Sequence, residues 1–272
     1  MTNKQVAYEN IELLKNGGYE RDGKKQVFRK ECYSVEVYSP SMLESLRDSD
    51  EIKRCQVYEK CEIYTDTLDT LTSAGELAKA GGKVIALNFA SALYAGGGFL
   101  HGSYAQEEDL CRRSTLYASL SSECALEMYD YNRAGQEPCY SDYTLLSPVA
   151  TVFRDTAYEM IDEPYDVAII TCPAPNLNHW ARKTPIEEIR RVFRRRIRNI
   201  LVLSAIKGYD TLVLGAWGCG AFGNDAKDIA KDFYTVLVEE GYQRYFKRIA
   251  FSIYVNPRSK NHYNLNAFEE LF

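Results

Sequence analysis

The stretch KVIALNF (83–89) decides the fold. It is a nearly continuous apolar run of strand length, and such runs suit a strand covered on both faces. Residues 68–79 before it have helical character and are closed by Gly81-Gly82. CEIYTD (61–66), VAIIT (167–171), TLVLGA (211–216) and IAFSIYV (249–255) read as further strands, the last three buried. Helices alternating with buried strands predict an α/β domain with helices on both faces of the sheet.

Two later helices are legible in the same way. One opens on Thr184, Pro185 and Glu187, a capping box with Pro at the first helical position. Ile186, Ile189, Phe193, Ile197 and Ile200 repeat along it at three and four residues, one buried stripe. Arg190, Arg191, Arg194, Arg195, Arg196 and Arg198 surround the stripe and are expected on a solvated face, with a polyanion patch as the alternative. The second follows Asn224-Asp225, turns Ile229, Phe233, Val236 and Leu237 inward and ends at Gly241. Before the α/β region, VAYENIELLKNGG (6–18) reads as a helix and KQVFRKECYSVEVYS (25–39) as strand.

Hydrophobic residues make up 46% of the 272, which supports a sizeable core. A net charge of -5 argues against bulk electrostatic binding to nucleic acid or an anionic membrane. No apolar run approaches membrane-spanning length and MTNKQVAYEN has no signal core, so a cytoplasmic protein is expected. The eight cysteines form no CxxC pair and only three histidines are present, so neither a zinc site nor a disulfide framework is expected.

In α/β sheets, ligands bind at the carboxyl ends of strands, and two glycine-rich loops fall there. The first is NFASALYAGGGFLHGSYAQEE (88–108) and the second GAWGCGAFGND (215–225). Gly215, Gly218, Gly220 and Gly223 let successive N–H groups converge on an anion, and the following helix adds a positive dipole end. A diphosphate suits such a loop, although a tight structural turn has the same composition. Neither loop is a P-loop or a dinucleotide fingerprint. Phe222 either stacks on a ribose or base or plugs the loop from beneath.

Glu107 and Glu108 begin a segment in which Leu110, Ser114 and Tyr117 have helical spacing. Acids in a first turn compensate the dipole, by a few tenths to about 1 kcal/mol. That account leaves the glycine run unexplained. Two adjacent carboxylates repel, and burial raises the pKa of at least one. A neutral carboxylic acid can protonate a leaving oxygen, as glycosidic cleavage requires.

GGG, seven residues, then QEE is the spacing of poly(ADP-ribose) glycohydrolases. The sequence resembles their short bacterial and microbial type through NFASA, GGGFLHGSYAQEEDLCRRSTLY, YTLLSPVATVFRD and GAWGCGAFGNDAKDIAKDF. The resemblance implies a macrodomain-like three-layer α/β/α fold with a mixed central sheet. Residues 1–60 would be an extension packed on a catalytic domain of residues 61–272. It implies Glu108 as catalytic acid and Glu107 as holder of the ribose hydroxyls. Gln106, Asn88 and Gly96-Gly97-Gly98 would line the distal ribose and phosphate. Gly215, Gly218, Cys219, Gly220, Ala221 and Gly223 would wrap the diphosphate, with Phe222 near the ribose. Tyr94-Ala95 stands where many bacterial relatives carry Asn-Pro.

The implied activity is cleavage of the ribose–ribose O-glycosidic bond of poly(ADP-ribose), releasing ADP-ribose, without cofactor or metal. The alternatives are a mono-ADP-ribosyl hydrolase acting on protein or nucleic acid, and a macrodomain that binds ADP-ribose without cleaving it. The implied partners are ADP-ribose, poly(ADP-ribose) and ADP-ribosylated macromolecules, with neither membrane nor general nucleic-acid binding.

Overall fold

The run at 83–89 forms the middle strand of a seven-stranded sheet in the computed structural model, which describes residues 1–255 and 262–272. In chain order the elements are α1 (Asn3–Lys15), β1 (Gly18–Arg21), β2 (Lys24–Val27), β3 (Glu36–Tyr38), α2 (Pro40–Asp48), β4 (Glu62–Asp66), α3 (Thr70–Lys79), β5 (Val84–Asn88), α4 (Gln106–Arg113), α5 (Leu116–Leu120) and α6 (Glu123–Ala134). They continue with β6 (Thr144–Arg154), β7 (Met160–Thr171), α7 (Ile186–Ile206), β8 (Thr211–Leu214), α8 (Ala226–Tyr234), β9 (Arg248–Ser252) and α9 (Tyr263–Glu269).

The sheet order is β3-β6-β7-β5-β8-β9-β4, while β1 and β2 form a separate hairpin. From β7 to β4 all neighbours are parallel; β3 and β6 pair antiparallel at one edge. Side chains alternate across each strand, so the buried strands feed two cores. Ile85, Leu87, Ala168, Ile170, Leu212, Leu214, Ile249 and Phe251 pack with α7, α8 and α9 on one face. Val84, Ala86, Val167, Ile169, Val213 and Ala250 pack with α3, α4, α5 and α6 on the other. The result is a three-layer α/β/α arrangement with a mixed sheet.

Within the first sixty residues, α1 packs on the second layer through Ala7, and β3 extends the sheet. Asn10 of α1 is fully buried. Its Nδ2 donates to the carbonyls of Cys111 at 3.0 Å and Arg112 at 2.7 Å, satisfying two orphan acceptors at the end of α4.

Several expectations need correction. The strand at 25–39 is two strands in two sheets, β2 and β3, separated by a 3₁₀ turn over Lys30–Tyr33. The helix predicted to run through Ser114 breaks there. Ser114 is extended (φ -140°, ψ 178°), bridges to Val152, and is followed by a Thr115 N–H bond to Thr151 O of 3.0 Å. The capping box at Thr184 does not form: α7 starts at Ile186, and Thr184 closes the preceding 3₁₀ turn through Ala181 O. β6 has no clear strand pattern in the sequence. Pro148 and a register shift between Ser147 and Ala150 interrupt its alternation.

The arginine helix departs furthest. Arg196 is fully buried and donates to Asp142 and to the carbonyls of Pro173, Cys139 and Tyr140. Arg190 and Arg194 pair with Asp232, Arg195 with Asp142, and Arg198 with Glu240. These charges join elements together, so most of the set is neither a solvated face nor a free polyanion patch. No helix among the described residues is long and apolar enough to cross a membrane.

Candidate active site

The carboxyl ends of β7, β5 and β8 converge, and the loops leaving them build the site. Asn88 ends β5 opposite Thr171 of β7. Both point to the α4 side, and Asn88 Nδ2 donates to Thr171 Oγ1 at 3.2 Å. The loop from β5 then returns as α4, whose first turn carries Gln106, Glu107 and Glu108. Ala105 supplies no side-chain cap to that turn.

The two glutamates are buried, at 4% and 7% exposure. Glu107 is bound at both oxygens: Asn88 Nδ2 donates to Oε1 at 3.2 Å and Ser91 N–H to Oε2 at 2.7 Å. Among the described residues, Glu108 accepts at Oε1 alone, from Gly98 N–H at 2.8 Å. Glu108 Oε2 and Asn88 Oδ1 are buried without a partner among the described residues. Orphaned acceptors of this kind are costly in a finished core, and each has a lone pair left to accept a hydrogen bond.

Burial pushes the Glu107 carboxyl up to about 8; the Ser91 and Asn88 bonds oppose this, and the neighbouring Glu108 charge adds to it. Desolvation therefore outweighs the donors around Glu107.

The glycine run is explained by what stands against it. Gly96 and Gly97 have left-handed backbones (φ +67° and +58°). A Cβ on Gly97 would fall between the two carboxylates, and one on Gly98 would lie 2.1 Å from Ser103 Oγ. What approaches this backbone closely includes the protein's own acids. Gln106 braces the turn: Phe89 N–H donates to its Oε1 at 2.9 Å, and its Nε2 donates to Leu87 O at 2.8 Å and Thr70 Oγ1 at 3.1 Å.

The second loop leaves β8 and is held by the segment after β7. Asn224 Nδ2 donates to the carbonyls of Pro175 and Gly218, Asn178 Nδ2 to Ala221 O, and Leu177 N–H to Phe222 O. Trp217 is fully buried and its Nε1 donates to Cys172 O at 3.0 Å. Among the described residues, the N–H groups of Gly218, Gly220, Ala221 and Phe222 meet no protein acceptor. Gly218 and Gly223 have φ of +79° and +73°, whereas Gly220 is not left-handed and faces open space. Phe222 is half-buried against the first core. Burial pushes the Cys219 thiol up to about 12, which keeps it from acting as a thiolate. Asp225 caps α8 through the N–H groups of Lys227 and Asp228.

Residues 7–155 match the family described as "Microbial-type PARG, catalytic domain". The chain belongs to the microbial-type PARG family. Solved PARG structures agree over nearly the whole chain. Poly(ADP-ribose) glycohydrolase from Thermomonospora curvata is 35% identical, with a TM-score of 0.91 and 99% of each chain covered. The same enzyme bound to the inhibitor ADP-HPD superposes with a TM-score of 0.89 at 35% identity, again with 99% of each chain covered. The Deinococcus radiodurans enzyme in complex with ADP-ribose is 35% identical, with a TM-score of 0.80, over 88% of this chain and 94% of that one. No curated protein matches the chain.

The PARG family match spans α1 through β6, so it contains the glutamates, the glycine run and Asn10. The structure adds residues to which the sequence assigns no role at the site. Ser91 holds Glu107 through its backbone, a contact available to any residue and so without a sequence signal. Thr171, Asn178 and Asn224 brace the site from positions whose roles depend on strand register and loop packing. Among the described residues no group of three His, Cys, Asp or Glu side chains could hold a metal ion.

Proposed function

We infer that this chain is a poly(ADP-ribose) glycohydrolase that cleaves the ribose–ribose O-glycosidic bond and releases ADP-ribose. The observation that carries the reading is the asymmetry of the buried pair. Glu107 is bound at both oxygens, whereas Glu108 offers one buried oxygen with no partner among the described residues.

In this reading Glu108 protonates the departing ribose oxygen while the cleaved ribose passes through an oxocarbenium-like state. The ionised Glu108 then activates water. Glu107, fixed by Ser91 and Asn88, receives the ribose hydroxyls and sets their geometry, a term that can matter as much as the proton transfer. Burial holds the Glu107 carboxyl raised to about 8, so Glu107 itself carries a proton near neutral pH. Asn88 Oδ1 accepts from the same ribose. Gly96, Gly97 and Gly98 admit the ribose to the acids, with Gln106 as the brace behind them.

The free N–H groups of Gly218, Gly220, Ala221 and Phe222 receive the diphosphate, together with the α8 N-terminus. Gly215, Cys219 and Gly223 shape the loop, and Phe222 stacks near the distal ribose. The reading is tested by incubating the protein with poly(ADP-ribose), mono-ADP-ribosylated protein and ADP-ribosylated DNA and identifying products by mass. Release of ADP-ribose from the polymer is expected. Saturating ADP-ribose should also raise the melting temperature, by about 2.7 kcal/mol of stabilisation at 100 times its Kd; AMP should do so less. Absence of both effects would discard the assignment.

A further inference from the structure

The segment from Ser91 to Gly98 is strung between the two carboxylates: Ser91 N–H donates to Glu107 and Gly98 N–H to Glu108. Tyr94 stands between these anchors. Its N–H donates to Ser91 Oγ at 3.2 Å and its carbonyl accepts from Gly97 N–H at 3.0 Å. Its backbone is therefore part of the frame, but its side chain is 60% exposed. Arg133 of α6 donates to Leu93 O at 2.6 Å and bonds Asp130, which places its guanidinium carbon 6.0 Å from the Tyr94 ring centroid. An open aromatic ring with a cation beside it thus sits on the turn that touches both acids. The Tyr94 side chain makes none of the bonds that hold the acids, which come from backbone N–H groups and Asn88.

We propose that Tyr94 and Arg133 form a leaving-group subsite that stacks the adenine of the ADP-ribose unit on the far side of the scissile bond. This rests on the glycohydrolase reading. The departing oxygen belongs to the adenosine ribose of the next unit, so the adenine hangs on the sugar whose oxygen Glu108 protonates. Bases stack on aromatic side chains, and an arginine adds a cation–π contribution.

The test compares two substrates with the same leaving oxygen: poly(ADP-ribose), and ADP-ribose joined to a methyl riboside that carries no base. Tyr94→Ala should raise KM for the polymer about tenfold, a loss of about 1.4 kcal/mol, and leave kcat within about twofold. On the methyl riboside it should match wild type, and Tyr94→Phe should match wild type on both. An equal loss on both substrates would overturn the subsite, since Tyr94 would then only shape the catalytic turn; so would an unchanged polymer KM. A binding arm uses Glu108→Gln protein. A two-unit ADP-ribose oligomer should bind more tightly than ADP-ribose, and Tyr94→Ala should erase that difference. If the wild type releases nothing from the polymer, the glycohydrolase reading falls, and the oligomer binding still decides for or against stacking.

Discussion

A Cβ placed on Gly97 would stand 2.6 Å from Glu108 Oε1 and 2.9 Å from Glu107 Oε2. Glycine is therefore required here twice, once by the left-handed backbone and once by the acids it separates. Gly97→Ala should cost roughly 1–2 kcal/mol of stability from the backbone alone. By displacing the acids it should also lower kcat/KM about 100-fold. Gly81→Ala is the control, because Gly81 is left-handed (φ +86°) with nothing within 4 Å of its Cβ position. It should show the stability loss in a urea titration and keep full activity. Equal activity in the two variants would mean that the carboxylates tolerate displacement.

The second loop separates folding from binding glycine by glycine. A Cβ on Gly218 would meet Ala174 Cβ and Asn224 Nδ2, each at 2.8 Å, on a left-handed backbone. Gly218→Ala should destabilise the protein and weaken ADP-ribose binding together. Gly220 has neither constraint, so Gly220→Val should fold with a near wild-type melting temperature. If its N–H receives the diphosphate, the branched side chain should still weaken ADP-ribose by about tenfold in a calorimetric titration, about 1.4 kcal/mol. Unchanged affinity in Gly220→Val would make that stretch of loop structural only.

Much of this was legible because the signals are local. KVIALNF became a strand buried on both faces, and the spacing of GGG to QEE placed both motifs against one another. What sequence could not supply depends on contacts distant along the chain. Arg196 looks like one more arginine on a polar face; only the fold brings Asp142 and three carbonyls around it. Ser114 has a helical neighbourhood, yet pairing with Val152 of β6 pulls it into an extended conformation. The pattern indicates that burial raises at least one acid, and the implied mechanism places that neutral acid at Glu108. Glu107 is the one in which desolvation exceeds its donors.

That raised carboxyl makes stability depend on pH. A group whose pKa is higher in the folded state stabilises the fold while it stays protonated there. The contribution is fully present below the unfolded carboxylate value near 4.3 and is lost as pH rises to about 8. Stability contributed by Glu107 should therefore decline from about pH 5 to pH 8 and then level. Glu107→Gln loses one acceptor for Ser91 or Asn88, an offset independent of pH. It should flatten the decline, which urea titrations at pH 5, 6.5, 8 and 9 would reveal. A slope equal to that of wild type would assign the titration to another group.

Glu108→Gln is the most direct test of the mechanism. The amide oxygen can keep the bond from Gly98 N–H, and the shape of the buried turn is preserved. The substitution places an amide nitrogen where Glu108 Oε2 has no partner among the described residues, and an amide has no acid proton to give. Turnover of poly(ADP-ribose) should fall about 100-fold or more, while ADP-ribose affinity stays within several fold. Glu107→Gln should also lose activity, through positioning, so activity alone does not separate the two. The pH profile does. Wild-type rate should decline at high pH as the catalytic acid ionises, and Glu108→Gln should lack that limb in whatever residual rate remains. Leaving-group chemistry separates them again, because a poor leaving group needs protonation most. An activated aryl glycoside of ADP-ribose should restore Glu108→Gln far more than Glu107→Gln. Full activity of Glu108→Gln on the polymer would require a different acid on the same scaffold.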